Sequence, residues 1–166
     1  MNKIKLGKQE VIHFIGVGGI GMSGLAQIMK TMGFKVQGSD INKNKNTDNC
    51  KKLGIKILIG HNKKNVNNVT IVVKSSAIKP NNVELVEFRK KNIPIYDRIE
   101  VLANIIDLKK KIIITGSHGK TTTTSLVAKI ISTAKLDPTI INGGVINSIK
   151  NNAKLGQGDW AVVEAD

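Results

Sequence analysis

Aromatic residues make up only 3% of this 166-residue chain. That scarcity removes the stacking platforms with which proteins hold single-stranded nucleic acid. There is one cysteine, Cys50. It allows no internal disulfide and no cysteine-built zinc site, and it fits a reducing, cytoplasmic setting. No apolar run is long enough to span a bilayer, and the opening stretch MNKIKLGKQE lacks the apolar core of a signal peptide. Acidic residues are also few: 12 against 26 Lys+Arg, a formal charge of +14. A basic balance can serve nucleic acid or a membrane surface. Here, however, the lysines are scattered and the only arginines are Arg89 and Arg98. Lys, Asn and Ile are all abundant and all have AT-rich codons, so base composition accounts for the charge. The short runs Lys51-Lys52 and Lys109-Lys110-Lys111 read as solvated. No nucleic-acid partner and no membrane insertion is expected.

What is present is a hydrophobic fraction of 40%, enough for a folded core. The run Val11 to Val17 reads as a buried parallel strand ending in glycines. Met22, Leu25, Ala26, Met29 and Met32 then recur at helical spacing, up to Gly33. Further strands are read at 34–38, 55–59, 70–73 and 93–96, with helices ending near Leu53, opening at Pro80-Asn81-Asn82, and carrying Ile99, Leu102 and Ile106. Such alternation implies a Rossmann-like parallel sheet covered on both faces. The first domain is expected at 1–108, with Lys109 to Lys111 as linker. The pattern restarts at Ile112-Ile113-Ile114, and 109–166 reads as the start of a P-loop α/β ATPase domain. Strands are read there at 139–141 and 160–163.

Two glycine loops carry the chemistry. Gly16-Val17-Gly18-Gly19-Ile20-Gly21 fits G-x-G-x-x-G between a strand and a helix. Gly16 allows the tight turn, Gly18 admits a diphosphate to the backbone, and Gly21 lets the helix pack on the sheet. The helix N-terminus offers free N–H groups to the anion. Asp40 ends the next strand, near the spacing of a ribose-binding acid. Alone, this loop fits NAD; a tight turn without ligand is the lesser alternative once strand, helix and acid are all in place. The second loop, Gly116-Ser117-His118-Gly119-Lys120-Thr121-Thr122, lacks the strict P-loop glycine, since Ile114 stands five positions before Gly119. It keeps the working parts: a flexible turn, a lysine for the β/γ-phosphates of ATP, and a hydroxyl for magnesium. Four threonines in a row make a poor purely structural helix start. Glu164, at the tip of the last strand, is a natural magnesium ligand. A dehydrogenase has no use for the second loop, and a plain ATPase none for the first. Together they fit an enzyme holding a nucleotide-linked substrate beside ATP. Among isolated residues, His13 reads as a core histidine, Cys50 as a small apolar helix residue, and Met22, Met29 and Met32 as core.

GVGGIGMSG, TGSHGKTTTTSL, Gly143-Gly144 through Asn152-Ala153-Lys154-Leu155-Gly156, and the closing VVEAD resemble the Mur ligases. The likeness runs from Val11 to Asp166 with the motifs in order. It is nearest to the branch that joins L-alanine to UDP-N-acetylmuramate for peptidoglycan synthesis. The resemblance implies an ATP-dependent ligase that activates the muramoyl carboxylate as an acyl phosphate, with ATP and magnesium as cofactors. By position it implies that Gly18, Gly19, Ile20, Gly21, Met22 and Ser23 hold the UDP diphosphate and that Asp40 lies near the ribose or uracil. His61, Ser75, Ser76, Arg98 and Asn152 would line the UDP-sugar cleft. Gly116 to Thr122, including Ser117, His118 and Gly119, would bind ATP. Lys120 and Glu164 are the expected catalytic residues, with Thr121 and Glu164 at the metal. The C-terminal domain of the family, which holds L-alanine, is absent. The expectation is therefore an N-terminal fragment without ligase activity alone. The alternatives are an NAD(P)-binding Rossmann oxidoreductase module and a non-catalytic UDP-sugar-binding fragment.

Overall fold

The computed structural model describes residues 4, 6–141 and 154–165. The chain divides into two compact units, Met1–Val101 and Leu102–Asp166. The domain boundary expected after Leu108 falls at the end of a helix, α4 (Arg98–Leu108), that runs across this division.

The first unit is a five-stranded parallel sheet in the order β3-β2-β1-β4-β5. Its strands are β1 (Val11–Ile15), β2 (Lys35–Asp40), β3 (Lys56–Ile59), β4 (Ile71–Lys74) and β5 (Ile95–Asp97). The central β1 is the most apolar and is buried from Ile12 to Ile15, as a strand covered on both faces must be. It pairs Ile12 with Val36 on one side and with Ile71 on the other. The order reverses between β1 and β4, so a topological switch point opens at the carboxyl end of β1. The Rossmann-like α/β architecture read from the sequence is the one observed.

Helix α1 (Ile20–Thr31) buries Met22, Leu25, Ala26, Ile28 and Met29, the spacing of one helical face. Met32, expected in the core, is the C-cap residue and only half-buried. Helix α2 (Lys45–Lys52) starts at a capping box, in which the Asn44 side chain accepts from the Asn46 and Thr47 N–H groups. Helix α3 (Val83–Lys90) is capped by Asn82. Phe88 and Leu85 of α3 join Ile15, Val72, Val66 and Val69 in a cluster on one face of the sheet. Cys50 is fully buried in α2, and its burial raises the thiol pKa, against a hydrogen bond from Gln27 that lowers it.

The second unit is a three-stranded parallel sheet in the order β6-β8-β7: β6 (Lys110–Ile114), β7 (Thr139–Ile141) and β8 (Trp160–Glu164). Helix α5 (Lys120–Thr133) follows β6. Leu126 and Ile130 of this helix are exposed, as is Ile113 of β6. The linker expected at Lys109 to Lys111 is corrected here: Lys110 and Lys111 already belong to β6. Lys109 is not solvated either. Its ammonium is buried and donates to the carbonyls of Gly156 (3.0 Å) and Gly158 (2.6 Å). The block of lysines before the isoleucines hid the strand start, because an edge strand tolerates lysines.

Candidate functional site

Both glycine loops sit where a parallel strand hands over to a helix. In unit one, Gly16 turns the chain at φ +82°, a left-handed conformation that glycine alone adopts freely. Gly19 is the N-cap of α1 and makes no side-chain cap bond, and the first turn holds no acid. The contrast with α2 and α3, both capped by asparagine, is informative. The helix that leaves the glycine loop keeps its N-terminal donors for something else. Arg98 adds a cation at the same place. A Cβ on Gly21 would stand 2.8 Å from Arg98 Nη1, so the missing side chain makes room for the guanidinium. That is the role the structure gives Gly21, in place of helix–sheet packing.

Of the segment expected to grip a diphosphate, Gly19 and Ile20 are exposed and Gly21 half-exposed. The rest turns inward. Gly18 is buried, and its N–H donates to Asp40 Oδ2 at 2.7 Å. Met22 is 3% exposed. The Ser23 hydroxyl donates back to the Ile20 carbonyl at 3.0 Å. The expected contact surface of Gly18 to Ser23 therefore narrows to Gly19–Gly21, because the helical period puts the following residues on the core side. Asp40 ends β2 as expected, but its carboxylate is turned onto backbone: Oδ1 accepts the Asn42 N–H at 3.2 Å.

His61 follows β3, on the same carboxyl edge of the sheet. Its Nδ1 lies 3.3 Å from Glu84 Oε2 and 3.3 Å from Ser39 Oγ. Glu84 is fully buried, and Ser39 donates to it at 2.6 Å. His13 Nε2 faces the same oxygen at 3.4 Å, while its Nδ1 accepts from Gln37 at 3.1 Å. Asn62 N–H and the Asn65 amide donate to the other oxygen. Burial by itself would raise the Glu84 pKa. Hydrogen bonds from His13, Ser39 and Asn65 outweigh it and hold the carboxyl down to about 2. An ionised Glu84 only accepts, so Nδ1 of His61 carries a proton, and Nε2 is the ring's other polar atom. That Nε2 is buried and has no partner among the described residues. His13 is the satisfied core histidine read from the sequence. Glu84, the hub of this network, was not singled out, since a carboxylate at the start of a helix usually faces water.

At the ends of β4 and β5, Lys74, Ser76, Asp97, Arg98, Ile99 and Glu100 line a cleft of about 580 Å³. Lys74 and Asp97, opposite each other in register, form an ion pair. Ser75 is used locally: its hydroxyl accepts the Ala77 N–H at 3.3 Å. The structure thus brings Arg98 and Ser76 into one cleft, with Ser75 beside Gly16.

In unit two, Thr115 to Gly119 is fully exposed, including Gly116, Ser117 and His118. Gly119 caps α5 in the left-handed region at φ +74°, again with no side-chain cap and no acid in the first turn. Lys120 Nζ donates to the Gly116 carbonyl at 2.8 Å, folding the lysine over its own loop. The Thr121 hydroxyl donates to Glu164 Oε1 at 2.9 Å. Thr122 is exposed beside them. The two oxygen donors expected at a metal thus meet across β8 and α5. Asn152 and the Gly143-Gly144 pair lie outside the described residues.

Residues 11–110 match the model of the Mur ligase family, catalytic domain. A UDP-N-acetylmuramate–L-alanine ligase of Pelagibacter ubique is 66% identical over 99% of this chain and 35% of its own length. One from Phenylobacterium zucineum is 52% identical over 93% of this chain and 32% of its own. The chain spans about a third of the length of these curated relatives. Among solved structures, the UDP-N-acetylmuramate-alanine ligase of Thermotoga maritima superposes with a TM-score of 0.66 at 34% identity, over 92% of this chain and 36% of that one. A murein peptide ligase of Psychrobacter arcticus gives 0.67 at 23% identity, over 95% of this chain and 38% of its own, a likeness of fold alone.

Proposed function

Because the chain belongs to the Mur ligase family, we propose that it is the nucleotide-gripping N-terminal part of an ATP-dependent ligase that joins L-alanine to UDP-N-acetylmuramate. One observation carries the reading. Both strand–glycine-loop–helix junctions leave the helix N-terminus without a side-chain cap or a first-turn acid, and each has a cation beside it, Arg98 or Lys120. Two such anion seats in one chain call for two phosphate-bearing ligands.

In this reading, the Ile20 and Gly21 N–H groups and Arg98 hold the UDP diphosphate, while the Gly19 N–H closes the turn onto Gly16 O. His61 and Ser76 border the rest of the sugar nucleotide. Ser75 supports Gly16, and Asp40 supports Gly18, behind the ligand. Gly116 to Thr122 cradle the ATP phosphates. Lys120 leaves the Gly116 carbonyl for the transferred phosphoryl and stabilises its charge. Thr121 and Glu164 offer two hard oxygen donors side by side, which fits magnesium, an ion that keeps waters and nucleotide oxygens as its other ligands. Bound there, magnesium would neutralise phosphate charge. The muramoyl carboxylate takes the γ-phosphoryl as an acyl phosphate, ADP leaves, and the amine of alanine displaces phosphate. The setting is cytoplasmic, where these substrates are made. The domains of this reading are a Rossmann-like UDP-sugar unit through Leu108 and an ATP unit from Lys109.

Calorimetric titration of the chain with UDP-N-acetylmuramate, with NADH as control, tests the first seat. Binding of the sugar nucleotide without NADH is expected. NADH binding alone would return the first loop to the oxidoreductases. Alanine-dependent ADP release is expected to be absent from the 166 residues alone, because they span only about a third of the length of the curated ligases.

A further inference from the structure

One residue of the first glycine loop, Gly18, is held from three directions. The Gly18 N–H donates to Asp40 Oδ2 at 2.7 Å. The Gly18 carbonyl accepts from Asn46 Nδ2 at 2.7 Å and from Asn44 Nδ2 at 3.3 Å. A Cβ on Gly18 would lie 2.6 Å from Asn44 Nδ2 and 2.8 Å from Asp40 Oδ2, so the clamp closes directly on the glycine. Such fastening has a physical purpose. The peptide joining Gly18 to Gly19 has no Cβ on either side, so the usual steric bar to flipping it is missing. In a trans peptide the carbonyl and the N–H point in opposite directions. With the carbonyl drawn toward α2, the Gly19 N–H points the other way and closes the turn onto Gly16 O at 3.3 Å. A flip would break that turn bond and set the carbonyl oxygen against Gly16 O, distorting the loop that must face an anion.

We infer that Asn46, seconded by Asn44, is a positioning residue that keeps the Gly18–Gly19 peptide in the orientation competent for a nucleoside diphosphate. This rests on the reading that unit one takes such a ligand. The two asparagines divide the work. Asn44 caps α2 with its Oδ1, so its loss would also loosen that helix. The amide of Asn46 goes to Gly18 alone among the described contacts, which makes it the clean probe.

The experiment compares the parent chain with Asn46→Ala and Asn46→Gln, using UDP and UDP-N-acetylmuramate as ligands. Thermal melting and the backbone amide resonances of Gly19 and Ile20 are recorded on the unliganded chains. Asn46→Ala is expected to weaken both ligands about three- to tenfold, the size of one hydrogen bond. Its melting temperature should hold, since alanine suits a helix at least as well as asparagine. Its Gly19 resonance should move or broaden. Asn46→Gln, which keeps the amide, should restore most of the affinity. Unchanged affinity and unchanged Gly19 resonances in Asn46→Ala would overturn the inference. So would a loss of affinity accompanied by an equal loss of stability, which would make Asn46 a structural residue of α2. If the parent chain bound neither ligand, the function proposed for unit one would fail, and the Gly19 resonance would still decide for or against the clamp.

Discussion

Glu84 shows how much one side chain can organise. It has no solvent contact and gathers donors from β1, β2 and the segment after β3. Its carboxyl titrates near 2 in the fold, against 4.5 for a free glutamate. Below 4.5 the unfolded chain takes up a proton that the folded one refuses. The stability Glu84 contributes is therefore complete above about pH 4.5 and is lost as pH falls toward about 2. The span corresponds to about 3 kcal/mol. Glu84→Gln should lower stability at neutral pH and flatten this acid limb, which urea unfolding across the pH range would read. If the variant kept the full acid dependence, the limb would belong to another group. None of this was legible in the sequence. Glu84 lies 71 positions from His13 and 45 from Ser39, and no local pattern ties them.

At the scale of elements the sequence was far more readable. Apolar runs ending in glycine marked β1 and β6, and the interval between Met22 and Met29 marked the buried face of α1. The glycine loops were found because their spacing is local and the strand and helix flanking them are local too. What failed was direction. Periodicity placed Gly18 and Ser23 in the ligand's path, yet it cannot show that Asp40 and the α2 asparagines claim Gly18, or that Ser23 bonds its own helix. The start of α2 was not placed in the sequence, although Asn44 and Thr47 form its capping box. The open end of α1 leads to a prediction at this scale. Ile20 is 86% exposed, so replacing it loses no packing. Ile20→Glu sets an acid in the first turn and should hold or raise the melting temperature by the equivalent of about 0.3–1 kcal/mol. It should also abolish UDP-N-acetylmuramate binding. A variant that gained stability and still bound would show that the anion does not sit at this helix end.

For the molecule as a whole, the two units are separate sheets, and each has a polar tether of its own. In the second it is Lys109, whose ammonium meets the carbonyls of Gly156 and Gly158. Burial lowers its pKa, and Asp137 and Asp159 partly oppose that. Lys109→Met would leave the Gly158 carbonyl without its donor and the Gly156 carbonyl with the Thr139 hydroxyl alone, at a cost of about 1–3 kcal/mol. Hydrogen exchange should then show lost protection in β6 and β8 and kept protection in β1 and β4. Uniform loss across both sheets would contradict a tether confined to the second unit. Family membership was legible from the loop sequences, but a lysine run read as solvated held this anchor.

The strand order β6-β8-β7 has a bearing on how the protein is made. Its central strand is the last of the three to be synthesised, and neither neighbour can pair without it. On the ribosome the first sheet has all five strands available early, whereas the second must wait with β6 and β7 unpaired until Trp160–Glu164 emerges. Glu164 rides on that strand. The carboxylate set opposite Thr121 is therefore delivered by the same event that joins β6 to β7, so the nascent second unit acquires that oxygen pair only as these strands come together.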